Sequence, residues 1–130
     1  MNVRTYFILH TVIFVAIGLG IVAMPTLMAD ITGAALSEPE GIQLSRLLGI
    51  TVASLGILTW VTRDLGPSKY LAGVVATLAI WHGMDAANMF FGILQHGKTG
   101  LAWAFPVIHS LVSIGFLAFL PGSMRSSQPV

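Results

Sequence analysis

The sequence predicts an all-α integral membrane protein: a four-helix bundle with both termini on the cytoplasmic side. Three observations carry this. First, 55% of the 130 residues are hydrophobic and 8% are charged, with a mean hydropathy of +0.87; soluble domains carry about 25% charged residues. Second, four apolar runs, at about 5–24, 42–62, 70–94 and 101–120, each reach the roughly 20 residues needed to cross a bilayer. Third, the basic residues Arg4, Arg63, Lys69 and Arg125 flank one side of these runs, while the other side carries Lys98 together with Asp30, Glu38 and Glu40. Under the positive-inside rule, four against one puts both termini in the cytoplasm of a bacterial-type inner membrane.

Each helix has recognisable limits. Pro25 follows the first run, as proline commonly does beyond a helix end. That run is too long for a signal-peptide core and has no small-residue cleavage site after it, so it reads as a true helix. The segment 25–37 is expected outside, as a short helix resting on the interface. Ser37, Pro39 and Glu40 read as a capping box, with Ser37 as N-cap and Glu40 at N3, so the second helix starts ahead of its apolar part. Arg63-Asp64-Leu65-Gly66-Pro67-Ser68 is a turn in which Ser68 caps the third helix, and Thr99 is expected to cap the fourth. Pro121-Gly122 is expected to end it. The helices are therefore placed at about 38–62, 68–94 and 100–120 after the first, in a single domain over 1–122 with a disordered cytoplasmic tail, 123–130. Trp60, Tyr6 and Tyr70 suit a cytoplasmic aromatic belt and Trp103 an outer one.

Ionisable groups interrupt the apolar runs. At 1.5 Å per residue from the outer helix ends, Arg46 lies roughly 12 Å deep, Asp85 and His109 roughly 14 Å, and His82 and His10 roughly 20 Å. His82, Asp85 and Asn88 recur at i, i+3, i+6, with His82 and Asp85 on one side of the third helix. On the second, Arg46, Gly49, Ala53, Gly56 and Trp60 form a stripe whose small residues permit close helix contact, so Arg46 is expected to point inward. On the fourth, Pro106, His109, Ser113 and Phe116 form another stripe, and Pro106 is expected to free a carbonyl one turn back.

A lone charge at mid-bilayer costs at least about 2.5–3.5 kcal/mol, and arginine keeps its proton. Two solutions are open for Arg46: an ion pair with Asp85, with His109 bonded to one of them, or snorkelling towards Glu40 and Glu38. His82 is then expected to meet His10 or His109. Together Arg46, Asp85, His82, His109, His10 and Asn88 form the candidate polar core. Intramembrane ionisable groups are functional candidates by default, although each histidine by itself could simply hold helices in register.

Several chemistries are open to this set. A haem b would take His82 with His109 or His10 as axial ligands, and Arg46 would meet a propionate. A quinone, lipid or small polar molecule would present carbonyl or hydroxyl groups to His82, His109 and Asp85, and a His–Asp pair suits proton relay. There is no HExxH, no glutamate-rich facing set and no cysteine, which leaves no thiolate or dithiol chemistry and no standard zinc or di-metal pattern. The net charge of +1 gives no general basic surface for nucleic acid.

The proline after the first helix, the Arg46-Leu47-Leu48-Gly49 start of the second with its glycine stripe, and single polar residues in the third and fourth resemble small bacterial four-helix membrane proteins of the DoxX-like kind. The resemblance spans all four helices. It implies association with membrane redox systems and quinone chemistry, often as a partner subunit, and carries no catalytic residue over. The expected function is therefore an accessory subunit of a larger membrane redox or energy-converting complex, in contact with the lipid bilayer and with a membrane-protein partner or further copies of itself. The alternatives are an independent quinone- or haem-binding redox protein and a dimeric small-molecule transporter.

Overall fold

The computed structural model describes residues 1–32, 38–97 and 100–124, and these are almost wholly helical. The order is α1 (Val3–Ala23), α2 (Pro25–Thr32), α3 (Pro39–Thr62), α4 (Lys69–His96), a 3-10 turn (Gly100–Trp103) and α5 (Ala104–Ser123). Three of these, α1, α3 and α5, are long and apolar enough to cross a membrane, which suits a lipid-bilayer environment. The polar residues His82, Asp85 and Asn88 interrupt the apolar run of the 28-residue α4.

The helix ends follow local chemistry. Asn2 caps α1 by accepting from the Thr5 amide at 2.9 Å. Ser68 caps α4 by accepting from the Leu71 amide at 3.2 Å. Gly97 ends α4 in the left-handed region at φ 59°, where a side chain would be strained. The N-cap of α3 is Glu38, without a side-chain hydrogen bond, and Pro39 stands at the first helical position. That moves the helix start one residue later than a capping box would have it, because proline's fixed φ and missing N–H suit the first position. The expected caps Ser37 and Thr99 lie outside the described residues, as do Lys98 and the tail from 125 onward. Two prolines act differently from expectation. Pro106 sits in the first turn of α5, where an N–H would have no partner in any case. Pro121 does not stop α5, which runs on to Ser123; the Ser123 hydroxyl donates to the Phe119 carbonyl at 2.9 Å.

The chain forms two compact units, Met1–Asp64 and Leu65–Val130. In the first, α1 and α3 run antiparallel along a seam of small residues. A Cβ on Gly18 would lie 2.5 Å from the Ala53 nitrogen and 2.6 Å from the Gly49 carbonyl oxygen, so the two backbones are in direct contact there. Further along the seam, the buried His10 Nδ1 lies 3.1 Å from the Thr59 hydroxyl, which is itself 2.9 Å from the Thr11 hydroxyl. At the open end, Arg4 and Arg63 share the Asp64 carboxylate at 2.6 and 3.3 Å, and Arg63 lies over the Trp60 ring. The second unit is the antiparallel pair of α4 and α5, and the candidate site lies within it.

Candidate functional site

The site is built where α4 and α5 face each other. On α5, Pro106, His109, Ser113 and Phe116 recur at i, i+3, i+7 and i+10 and turn towards α4. The Ser113 hydroxyl donates to the Ala79 carbonyl at 2.8 Å, locking the register of the two helices. Phe116, fully buried, stacks on the His82 ring with centroids 5.8 Å apart, and Trp81 meets the same ring edge-on at 4.9 Å. His82 is thereby fixed in an aromatic cage with no exposed surface.

At the centre is one atom, His109 Nδ1. It lies 3.0 Å from Asp85 Oδ2 and 3.3 Å from His82 Nδ1. Exposure grades outward along the three groups: His82 is 0% exposed, the His109 side chain 13% and the Asp85 side chain 24%. Asp85 thus links an interior imidazole pair to the surface of the helix pair. Its outer side opens into a groove of about 370 Å³ lined by Trp81, Met84, Asp85 and Asn88. These four occupy i, i+3, i+4 and i+7 of α4, one continuous face. The volume falls at the lower end of small-molecule sites.

The sequence-derived candidates divide between the two units. Asp85, His82 and His109 come together in the second, with Asn88 exposed at the groove. His10 belongs to the first unit, where it meets Thr59 and stacks on Phe14 at 4.1 Å. Arg46 is also in the first unit and is exposed on α3; the ion-pair partner of Asp85 is His109. Arg46 shares the spacing of the glycine stripe and is exposed, unlike the buried Gly49 and Gly56 on the same stripe. Trp81 and Met84, which line the groove, were not singled out from sequence; their spacing to Asp85 and Asn88 was the available signal.

The geometry bears on one of the two axial pairs of the haem reading, His82 with His109. Axial imidazoles approach iron from opposite faces of a porphyrin, which must lie between them. His82 and His109 are already in hydrogen-bond contact at 3.3 Å, and the space between them admits neither iron nor macrocycle. Among the described residues, no group of three or more His, Asp or Glu side chains is placed to hold a metal ion. What the cluster can do is accept hydrogen bonds at the groove and hold a proton between a carboxylate and two imidazoles.

No protein-family model matches the chain, and no curated protein or solved structure matches it either. The functional reading therefore rests on the site.

Proposed function

We propose that this chain is a four-span inner-membrane protein, both termini cytoplasmic, that works in a membrane redox or energy-converting assembly. In this reading the α4 groove binds the head group of a lipid-soluble molecule bearing carbonyl or hydroxyl groups, of the quinone class. The observation that carries it is the graded chain Asp85–His109–His82, which ends in an open groove on α4. An apolar groove with a few convergent polar groups is the usual form of a small-molecule site, and intramembrane carboxylates and histidines commonly mark ligand or proton paths. The fourth span is α4: at 1.5 Å per residue its 28 residues extend about 42 Å. The distribution of basic residues supports the orientation.

A second reading, that of a partner subunit, draws on Arg46. It lies about 10 Å along α3 from Pro39 and is exposed among the exposed Leu44, Leu47, Leu48 and Ile50. A cation on such a surface is best satisfied by an anion, on a neighbouring membrane helix or a lipid phosphate. Native mass spectrometry from mild detergent tests both readings. Retention of a lipid-soluble redox molecule supports the first, and stoichiometric retention of a second polypeptide supports the second. A bare chain that also takes up neither an added alkyl quinone nor its hydroquinone contradicts the proposal.

A further inference from the structure

Because it serves two neighbours, His109 Nδ1 fixes where protons stand in the cluster. An imidazole nitrogen holds either one proton or one lone pair. If it held the lone pair, Asp85 as an acid and His82 as an N–H donor would compete for a single acceptor. If it holds the proton, the N–H donates to His82 Nδ1 while its positive end also faces an ionised Asp85, so both contacts are attractive. The ion-pair contact of 3.0 Å to Asp85 and the hydrogen bond of 3.3 Å to His82 are favourable together with His109 Nδ1–H, an ionised Asp85 and an unprotonated His82 Nδ1. The mobile proton of neutral His82 then sits on its Nε2.

This assignment decides what the groove can recognise. An ionised carboxylate accepts only, with about four lone-pair sites, and His109 occupies one of them. Among the described residues, no other hydrogen bond or ion pair to the Asp85 carboxylate is formed. Asn88 offers both a donor and an acceptor, while Trp81 and Met84 supply apolar surface. The His109 N–H is already committed, so Asp85 presents a ligand with acceptor sites and no donor.

Resting on the quinone-class reading above, we propose that the groove is selective for the hydroxyl-bearing form of its ligand: Asp85 accepts from an O–H that the hydroquinone has and the quinone lacks. The quinone would instead place a carbonyl against a carboxylate, which is repulsive.

The test is anaerobic binding of a matched pair, decyl-benzohydroquinone and decyl-benzoquinone, to the full chain in nanodiscs, with empty nanodiscs as the partition control. The hydroquinone is expected to bind about tenfold or more tightly, the factor that about 1.4 kcal/mol brings. In Asp85→Asn, whose amide both donates and accepts, that preference should shrink towards unity. Equal affinities, or a preference for the quinone, overturn the selectivity and leave the quinone-class reading standing. Binding of neither form overturns both. A second measurement needs no variant. Nitrogen-15 NMR of the histidine-labelled chain should place the His109 proton on Nδ1 and the His82 proton on Nε2; a His109 carrying its proton on Nε2 contradicts the assignment.

Discussion

Replacing Gly18 with alanine tests the packing of the first unit against an internal control. The added Cβ would stand 2.5 Å from the Ala53 nitrogen, 2.6 Å from the Gly49 oxygen and 2.8 Å from the Ala53 Cβ. Carbon contacts are comfortable at about 3.5–4.0 Å, so α1 and α3 must part by roughly 1 Å along the seam. Two of the three obstructing atoms are backbone and cannot rotate aside. Overpacking of this kind costs about 1–3 kcal/mol, and rigid obstruction places Gly18→Ala towards the upper end. The control is Gly73→Ala on α4, where nothing lies within 4 Å of the new methyl. There the exchange should stabilise by roughly 0.5–1 kcal/mol, because alanine is the better helix former. Both variants gain the same helical preference, so their difference isolates the clash. Reversible unfolding in mixed micelles, titrated with dodecyl sulfate, measures it. If Gly18→Ala is as stable as Gly73→Ala, the close backbone contact of α1 with α3 does not exist.

Three other outcomes are expected. Thr59→Val removes the hydroxyl that meets buried His10 at 3.1 Å; losing that buried polar contact should cost about 1–3 kcal/mol in the same assay, with Thr59→Ser recovering most of it. Phe116→Ala empties the ring that stacks on His82 and should destabilise by about 3–5 kcal/mol, while also broadening the His82 NMR signals as the imidazole loses its cage. A fluorescent protein fused after Val130 should light up and alkaline phosphatase at the same place should stay inactive, because the basic residues favour a cytoplasmic C-terminus; the reverse pattern inverts the proposed topology.

How much of this could be read from sequence depended on whether the signal was local. Ser68 forms its cap within three residues, so its role is visible in the string itself. The helical character of the apolar runs is equally local, and helical spacing puts His82 and Asp85 on one side of α4. Spacing gives faces, not neighbours. It left His82 open to either His10 or His109, and the structure sets His109 at 3.3 Å from it and gives His10 a threonine partner on α3. Arg46 shows a second limit. It shares the spacing of the glycine stripe and is nevertheless exposed, because a long flexible side chain can keep its charge at the surface, so periodicity did not determine its burial. The sharing of a single nitrogen between Asp85 and His82 has no sequence signature at all, since it depends on the axial offset of α4 against α5. That offset is set by contacts such as Ser113 to Ala79.

The most direct test of the central claim is where a ligand touches the chain. A photoreactive alkyl hydroquinone, kept anaerobic, activated on the protein in nanodiscs and mapped by peptide mass spectrometry, should label α4 within Lys69–His96, at Trp81, Met84 or Asn88. Unlabelled decyl-hydroquinone should compete the label away, and Asp85→Asn should weaken that competition. Labelling spread evenly over α1, α3 and α5, or unchanged by competitor, would contradict the assignment of the α4 groove as the binding site.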